Sequence, residues 1–262
     1  MKKQKAIKSK KYFLQANKTS NNHLIFAHVC ITLKEIQKTG TLGKPMKKLK
    51  QGILLSIEGI DGSGKSTLAN KLRDKLQKEA FDVILTYEPG DSALGKHLRK
   101  ILHERDFEIC GKSEFFLFAS DRAQHFKSVI MPNLKENKII ISDRMGDSSV
   151  AYQGYGRGED IEMIKNINNW AMQNREPDII LYIKVPIETA LQRLKKRKGR
   201  PTSFEQEKEK FVKKLVAGFE QMFKDRKNVI TLDGQQPADI LVKSAYANIK
   251  QWIKDKELVK HE

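Results

Sequence analysis

Short apolar runs alternate with amphipathic stretches along the chain from residue 53 onward. The run Ile53–Ile57 is apolar almost throughout and bounded by glycine, which is typical of a buried parallel strand. Leu68, Leu72 and Leu76 then recur at every fourth position, which predicts a helix over Lys65–Lys78 with one apolar face.

The remaining elements follow from the same two periodicities. Further strands are predicted at Val83–Thr86, Ile139–Ile141, Ile179–Val185 and Val229–Leu232. Further helices are predicted at Ser113–Lys127, Met131–Glu136, Ile161–Met172, Glu188–Lys196, Glu205–Phe223 and Asp239–Ile253. Strands that alternate with helices imply βαβ units, so we expect an α/β fold with a parallel sheet and helices on both faces. No internal repeat and no second folded domain are visible.

Positive charge is concentrated at the N-terminus. The 262-residue chain has 50 Lys+Arg against 32 Asp+Glu and a net charge of +18, and residues 1–45, with ten Lys and the single acid Glu35, carry +9 of it. This segment has no sustained periodicity, so we expect a basic extension that is disordered or only locally helical, followed by one domain over residues 46–262. Two interpretations remain: a real basic arm, or a start-site artefact with Met46 as the true start.

Composition excludes several classes of protein. Cys30 and Cys110 are the only cysteines, too few for a multi-disulfide scaffold or a four-thiolate zinc site, and they suit a reducing compartment. A hydrophobic content of 39% is enough for a sizeable core. No apolar run is long enough to cross a bilayer, and no signal peptide is recognisable. We therefore expect a cytoplasmic protein without a membrane partner.

A glycine-rich segment follows the first strand and opens the first helix. It fits the phosphate-loop pattern G-x-x-x-x-G-K-[ST] in the required context. Its glycines let backbone N–H groups turn toward a phosphate, and the helix N-terminus favours negative charge. Lys65 is predicted to reach the β- and γ-phosphates, and the Ser66 hydroxyl to bind Mg²⁺. The predicted ATP-binding residues are Gly59, Ile60, Asp61, Gly62, Ser63, Gly64, Lys65, Ser66 and Thr67.

A carboxylate and a guanidinium follow the third predicted strand. Asp143 and Arg144 come directly after Ile139–Ile141 and Ser142. Asp143 is predicted to hold Mg²⁺ together with Ser66, and Arg144 can form a bidentate pair with a phosphate. A buried ion pair without a substrate is the alternative, which the phosphate loop makes the weaker interpretation.

Four motifs in order resemble the thymidylate kinase family, which consists of P-loop nucleoside-monophosphate kinases. The segment Asp143–Gly154 (DRMGDSSVAYQG) resembles the family's DR-Y-x-D-S-S-x-A-Y-Q-G signature, and Glu88–Gly90 resembles its R-E-P-G-G segment. Phe118–Arg122 resembles F-A-x-x-R, and Ile57–Gly62 resembles the family's phosphate loop. The resemblance extends from about Ile53 to Trp252 and implies a P-loop NTPase-type sheet with a short lid.

The resemblance also implies residue roles on the acceptor side. Phe118 would stack on thymine and Arg122 would hydrogen-bond the base; the two are one helical turn apart. Tyr152 would pack against the deoxyribose and Gln153 beside the base. Arg144 would grip the acceptor phosphate, with Arg99 as a second arginine. The predicted dTMP-binding residues are Glu88, Pro89, Arg99, Phe118, Arg122, Arg144, Ser148, Tyr152 and Gln153.

The densest basic run, Arg193–Arg200, leaves a helix and enters a loop with glycine and proline. A solvated helix face is the default interpretation of such a run. The phosphate loop has no Arg or Lys between Gly59 and Gly64, and similar family members take their catalytic arginine from a lid. We therefore expect a lid over residues 197–205. The predicted catalytic residues are Asp61, Lys65, Arg144, Arg197 and Arg193.

The expected activity is transfer of the ATP γ-phosphoryl group to dTMP, which gives dTDP and ADP for dTTP synthesis, with Mg²⁺. The resemblance further implies a homodimer. The alternatives are a kinase for dUMP, UMP or CMP, a nucleic-acid-binding P-loop ATPase that uses the basic tail, and a nucleotide-binding regulatory module without turnover. Outside the tail and residues 193–214 the charges nearly balance, so a nucleic-acid partner is not expected.

Overall fold

The computed structural model describes residues 45–104, 107–196, 204 and 209–260. Its strands are β1 (Ile53–Glu58), β2 (Val83–Tyr87), β3 (Ile139–Asp143), β4 (Ile179–Lys184) and β5 (Val229–Asp233). Its α-helices are α1 (Lys65–Lys78), α2 (Ala93–Glu104), α3 (Gly111–His125), α4 (Met131–Lys135), α5 (Gly146–Ser149), α6 (Ile161–Ala171), α7 (Ile187–Lys196), α8 (Glu209–Phe223) and α9 (Ala238–Asp255).

The five strands form one parallel sheet in the order β2-β3-β1-β4-β5. The chain pairs β1 with β3 on one side and with β4 on the other, so the direction of winding reverses at β1. In parallel α/β sheets, ligands bind beyond the carboxyl ends of the strands at such a reversal. The topology therefore predicts the site above β1 and β3.

Each face of the sheet is covered by helices. Ile53, Leu55 and Ile57 of β1 face α1 and α9 in one core cluster, and Leu54 faces the opposite side with Ile140. On that opposite side Ile180 lies in a cluster with the aromatic residues of α8. Because side chains on both faces of β1 are buried, most residues of the strand are apolar. The α/β, P-loop NTPase-type fold with a parallel sheet covered on both faces is confirmed.

Two segments contain wide helical turns that periodicity does not indicate. The predicted helices Ser113–Lys127 and Met131–Glu136 are one continuous rod, since a π-helical segment, Phe126–Ile130, joins α3 to α4. Pro132 lacks an N–H and its ring would crowd the carbonyl of Ser128, so a wider turn before it relieves the conflict.

The second wide turn lies in the signature segment. Residues Val150–Gly156 are π-helical and follow directly on α5, where no helix was predicted. Helix α2, which carries Arg99, was not among the helices predicted from periodicity. The other predicted elements are found with ends shifted by a few residues, and α8 begins at Glu209 within the described residues.

None of the helices in the described part of the chain has the length and apolar character needed to span a bilayer. The predicted extension, residues 1–45, lies outside the described residues except for Pro45, so the two interpretations of it stay predictions.

Candidate active site

The candidate site is a cleft of about 800 Å³ above the carboxyl ends of β1, β2 and β3. Parallel pairing aligns Ile57 of β1 with Asp143 of β3, so the phosphate loop and the Asp143–Arg144 pair leave the sheet side by side. The Arg144 N–H donates to the Ile57 carbonyl at 3.1 Å, which joins the two segments just beyond the sheet. Sheet register thus brings together motifs that are about eighty residues apart in sequence.

The phosphate loop has the backbone geometry of an anion cradle. Gly62 (φ 79°) and Gly64 (φ 103°) adopt left-handed conformations, and a Cβ on Gly62 would lie 2.4 Å from the Ala190 carbonyl oxygen. Helix α1 begins at Lys65 without an acidic residue in its first turn, so its N–H groups and its dipole are open to an anion. Lys65 Nζ donates to the Ile60 carbonyl at 2.8 Å, which holds the ammonium over the loop.

Ser66 and Asp143 form a pair of oxygen ligands. Ser66 Oγ donates to Asp143 Oδ2 at 2.5 Å, while Asp143 Oδ1 is buried and has no hydrogen-bond partner among the described residues. An orphaned carboxylate oxygen beside a hydroxyl fits Mg²⁺, which binds through one or two protein oxygens, substrate phosphates and water. The described residues contain no cluster of three or more acidic, histidine or cysteine ligands, which a magnesium site of this kind does not require.

The Arg144 side chain connects the phosphate loop to Ser148 and Tyr152 across the cleft. Its guanidinium donates to Asp61 Oδ1 at 2.5 Å, to Tyr152 Oη at 3.1 Å and to Ser148 Oγ at 3.0 Å. It also lies 4.9 Å from the centre of the Tyr152 ring, and Tyr152 Oη donates to Asp61 Oδ2 at 2.9 Å. Arg144 adopts φ 75°, an uncommon conformation for a residue with a side chain.

The charged groups around Arg144 shift one another's pKa values. Burial alone would raise the pKa of Asp61, but the charges of Arg144 and Lys65 hold it well below its usual value. Burial, reinforced by the charge of Arg144, lowers the pKa of Lys65 to about 8. Burial likewise raises the pKa of the Tyr152 hydroxyl, which therefore stays protonated and remains a donor to Asp61.

Arg122 lines the cleft and is 1% exposed. Its Nε donates to Glu88 at 2.9 Å and its Nη1 to Asn168 at 2.6 Å. Its Nη2 donates to the Met145 carbonyl at 3.2 Å and to Ser149 Oγ at 3.1 Å. These four contacts leave one of the five guanidinium N–H groups for a ligand. Arg122 therefore both ties together the walls of the cleft and lines it.

Glu88 connects Arg122 to a second buried group. Glu88 Oε1 is 3.0 Å from His125 Nδ1, and His125 Nε2 is 2.6 Å from the Thr86 hydroxyl. Burial opposes ionisation of Glu88, but Arg122 and His125 together lower the pKa of its carboxyl. Neighbouring Asp121 behaves in the opposite way, because burial and the charge of Glu88 raise its pKa to about 6. Sequence reasoning found Glu88 and Arg122 but not His125.

An aromatic wall closes one side of the cleft. The Phe118 ring centre is 5.8 Å from that of Phe204, and Phe204 is 5.9 Å from both Tyr152 and His103. Phe118 and Tyr152 were predicted site residues, whereas Phe204 was not singled out. All four rings line the cleft, so a flat base has aromatic surface to pack against.

Arg99 and Arg193 both line the cleft and contact different segments of its wall. Arg99 Nη1 donates to the Pro89 carbonyl at 2.7 Å, and its guanidinium lies 5.4 Å from the centre of the Tyr87 ring. Arg193 Nη2 donates to the Gly234 carbonyl at 2.8 Å and its Nη1 to the Ser63 carbonyl at 3.4 Å, beside the phosphate loop. Arg197 and the rest of the expected lid, apart from Phe204, lie outside the described residues.

Comparison with known proteins assigns the chain to a family. The profile of the thymidylate kinase family matches residues 57–245. The thymidylate kinase of Halothermothrix orenii is 37% identical over 202 residues, which cover 76% of this chain and 97% of that protein. That of Fervidobacterium nodosum is 40% identical over 182 residues, which cover 70% of this chain and 90% of that one.

The chain belongs to the thymidylate kinase family. The crystal structure of thymidylate kinase from Ehrlichia chaffeensis superimposes with a TM-score of 0.61 at 28% identity and covers 76% of this chain and 98% of that one. The resemblance stated from the four motifs is therefore confirmed.

Most of the predicted site residues, whether they come from the phosphate-loop pattern or from the family resemblance, line this cleft. Within the described residues, the exceptions are Gly59, Ile60 and Ser63, which belong to the phosphate loop but do not line the cleft. The predicted lining residues are Asp61, Gly62, Gly64, Lys65, Ser66, Thr67, Glu88, Pro89, Arg99, Phe118, Arg122, Asp143, Arg144, Ser148, Tyr152, Gln153 and Arg193.

Glu58 is a buried residue beside the site to which sequence reasoning gave no role. This last residue of β1 is fully buried and accepts from the Met145 N–H at 2.8 Å and from Ser148 Oγ at 2.6 Å, and it thereby holds the segment that carries Arg144. Burial and the nearby Asp147 raise its pKa to about 7. The signal was present, since an acid at the end of an otherwise apolar buried strand is unusual unless it is paired.

Proposed function

We propose that the chain transfers the γ-phosphoryl group of ATP to dTMP, which gives dTDP and ADP in the supply of dTTP. The observation that carries this proposal is the junction at Arg144, where the phosphate-loop side of the cleft meets a side with an aromatic wall and buried polar groups. Phosphoryl transfer between two nucleotides needs two such adjoining sites and little covalent participation by the protein.

The donor half suits ATP and Mg²⁺. Backbone N–H groups of the phosphate loop and the start of α1 would hold the β- and γ-phosphates, with Lys65 above them. Ser66 and Asp143 would hold Mg²⁺, which supplies neutralisation of the phosphate charge when bound. The short Ser66–Asp143 contact and the orphaned Asp143 Oδ1 support this assignment.

The acceptor half suits a pyrimidine deoxynucleotide. Phe118 would stack on the base, with Phe204 beside it, and Gln153 Oε1, which has no partner among the described residues, would accept from the base N3–H. The remaining N–H of Arg122 would donate to a base carbonyl. Tyr152 would lie where a ribose 2′-hydroxyl would need room, which favours a deoxyribose.

Arg144 and Arg99 would bind the acceptor phosphate, supported by Glu88 and Ser148. Arg144 pairs with Asp61 in this structure, so we propose that the incoming phosphate competes for that guanidinium. The attacking oxygen belongs to a phosphate that is ionised at neutral pH, and no general base is needed. Lys65, Arg144, Arg193 and the lid residue Arg197 would stabilise the charge on the transferred group.

A panel of acceptors tests this function. ADP release coupled to NADH oxidation would be measured with dTMP, dUMP, dCMP, UMP and CMP at a fixed Mg²⁺–ATP concentration. We expect the highest kcat/KM with dTMP. A preference for UMP or CMP would contradict the assignment of Tyr152, and ADP release that needs DNA and no monophosphate would indicate a nucleic-acid-dependent ATPase.

We further propose that the chain acts as a homodimer. A shallow groove between α2 and α3 is lined by Ile101, Phe107 and Phe116, which are 40%, 58% and 56% exposed. Apolar residues grouped in this way mark interaction surfaces, and the family resemblance favours a second copy as the occupant. Phe116→Glu is expected to shift sedimentation from dimer to monomer, whereas Ile240→Glu, on α9 at the other face, is not. A wild-type monomer at 50 μM would contradict the proposal.

Two expectations about the whole chain remain proposals. We propose that residues 46–262 are the catalytic unit and that residues 1–45 add a basic extension without a catalytic role. Peptides from residues 12–34 in a digest of the native protein would show that the extension is made. We also propose a cytoplasmic location, which the two-cysteine composition supports.

A further inference from the structure

The buried carboxylate of Glu114 lies next to Gln153, which belongs to the part of the cleft wall that would contact the base. Glu114 has no exposed surface and does not line the cleft, yet it accepts from Gln153 Nε2 at 2.9 Å. Arg157 binds the same carboxylate through Nε and Nη2, each at 3.3 Å, and is itself packed 4.6 Å from the centre of the Phe211 ring. Glu114 is therefore fixed in place as a hydrogen-bond acceptor.

The neighbouring amide is also immobile. Gln153 is 1% exposed and belongs to the π-helical segment, and its main-chain carbonyl accepts from the Glu159 N–H at 3.1 Å. Its side chain lines the cleft, and its Oε1 has no hydrogen-bond partner among the described residues. One polar atom of this amide thus bonds to Glu114, and the other, Oε1, is buried at the cleft with its hydrogen-bonding capacity unused among the described residues.

The chemistry of the carboxylate decides which atom that is. A carboxylate has only lone pairs to offer, so the amide atom in contact with Glu114 has to be the donor Nε2. The reverse orientation would set two acceptors against each other in a buried site, where an unmade hydrogen bond is expensive. Glu114 therefore keeps Oε1, an acceptor, toward the cleft.

We propose that Glu114 is a positioning residue for base selection, which orients Gln153 so that the cleft accepts a pyrimidine with an N3–H and rejects cytosine. This inference rests on the proposed function. Thymine and uracil carry a hydrogen at N3, whereas cytosine presents a lone pair there and would face Oε1 acceptor against acceptor. Binding sites built around a donor–acceptor pair discriminate strongly against an analogue that leaves the pair unmade.

The placement of Glu114 on α3 supports the same conclusion. Glu114, Phe118 and Arg122 follow one another at intervals of four and therefore form one stripe along the helix. Phe118 and Arg122 line the cleft directly, and Glu114 contributes through Gln153. One helix face would thus provide the stacking surface, one donor and the orientation of one acceptor.

Glu114→Gln is the matched test, because it keeps the size and removes the acceptor-only character. An amide at position 114 can donate to Gln153 Oε1 as well as accept from Nε2, so both orientations become available. We expect the ratio of kcat/KM for dTMP over dCMP to fall about tenfold or more, the value of one hydrogen bond. The ratio of dTMP over dUMP should not move, since both bases carry the N3–H.

A double-mutant cycle with Gln153→Met separates positioning from general damage. If Glu114 acts through Gln153, Glu114→Gln changes the dTMP/dCMP ratio by less than twofold in the Gln153→Met background. Thermal unfolding of each variant is measured alongside. If Glu114→Gln does not fold, Glu114→Asp and Glu114→Asn repeat the contrast between carboxylate and amide, with selectivity kept in the first and reduced in the second.

The outcomes distinguish this inference from the function on which it rests. Wild-type protein without turnover of dTMP would overturn both. Wild-type preference for dTMP with a dTMP/dCMP ratio unchanged within twofold in folded Glu114→Gln would overturn the inference alone. An equal fall in the ratio in the Gln153→Met background would also overturn it, because Glu114 would then act independently of Gln153.

Discussion

The two halves of the cleft are built in different ways. Most of the donor half comes from consecutive residues, Gly59–Ser66, with Asp143 beside them, and the hydrogen bond that the structure describes for Lys65 goes to a main-chain carbonyl. The acceptor half is assembled from the ends of β2 and β3, from α3 and from the π-helical segment, and its central group Arg122 makes four buried hydrogen bonds. We therefore expect substitutions in the donor half to change ligand binding with little effect on the free energy of unfolding. In the acceptor half, the same hydrogen bonds contribute both to ligand binding and to the free energy of unfolding.

The largest expected effect separates activity from stability in the donor half. Lys65→Met removes a charge that stabilises the transferred phosphoryl group, and we expect kcat/KM with ATP to fall by about 10³-fold. Because burial already disfavours the charged form of Lys65, the free energy of unfolding should stay the same or rise. Coupled ADP release and urea denaturation provide the two readouts.

Lys71→Met, on the exposed side of the same helix, is the matched control and should change neither readout. A folded Lys65→Met with more than a tenth of wild-type kcat/KM would contradict the role of Lys65.

The second largest effect is expected in the acceptor half, where one substitution should reduce both stability and dTMP binding. Arg122→Met leaves the Glu88 carboxylate buried without its main counter-charge, so we expect the free energy of unfolding to fall by about 3–5 kcal/mol. The KM for dTMP should rise in the same variant, whereas the Kd for ATP, measured below the unfolding temperature, should not. Arg73→Met, at a half-buried arginine of α1 that pairs with the neighbouring Asp74, should cost less than about 0.5 kcal/mol.

If Arg122→Met and Arg73→Met had the same free energy of unfolding, the proposed link between binding and stability in the acceptor half would be wrong.

A smaller effect on stability concerns Glu58, the last residue of β1, which lies beside both halves of the cleft. The pKa of Glu58 is raised to about 7, so the folded protein binds a proton that the unfolded chain has already lost above the ordinary value of 4.5. The stability that this proton contributes is present at low pH and is lost as the pH rises toward 7, with a slope of up to about 1.4 kcal/mol per pH unit. Glu58→Gln should flatten the stability profile between pH 5.5 and 7.

Urea denaturation at half-unit pH intervals measures this slope for both proteins. Asp121 also titrates near this range in both, so the difference between the two profiles isolates Glu58. Parallel profiles would show that Glu58 is ionised throughout.

The smallest effect is a proton taken up by the donor half. Lys65 has a pKa of about 8 in the nucleotide-free protein, and the phosphates of ATP should raise it. At pH 8 we therefore expect uptake of up to about half a proton per ATP bound, measured by calorimetry in buffers of different ionisation enthalpy. Lys65→Met should abolish the uptake, and the same uptake in that variant would assign the proton to another group.

The same difference between the two halves determines which site residues could be predicted from the sequence. The phosphate loop was predicted because its chemistry lies in consecutive residues, and Asp143–Arg144 because a polar pair at the end of an apolar strand is conspicuous. His125, Asn168 and Phe204 have no such local pattern. His125 is one buried residue of a helix, and its role depends on being 3.0 Å from Glu88 across the fold.

The wide helical turns were beyond sequence reasoning for a different reason. Residues Val150–Gly156 have no composition that distinguishes a π-helical turn from an α-helical one. That segment carries both Tyr152 and Gln153, so the direction of these side chains could not be derived. The family resemblance supplied their roles, and the structure supplied the Tyr152–Asp61 and Gln153–Glu114 contacts.

The most direct test of the central claim follows the transferred phosphoryl group itself. The purified full-length chain is incubated with Mg²⁺, γ-³²P-labelled ATP and dTMP, and the products are separated by chromatography. The proposed arrangement of two adjoining nucleotide sites predicts labelled dTDP, with its label in the β-phosphate and one dTDP formed for each ADP. Label recovered as inorganic phosphate, with dTMP unchanged, would contradict it.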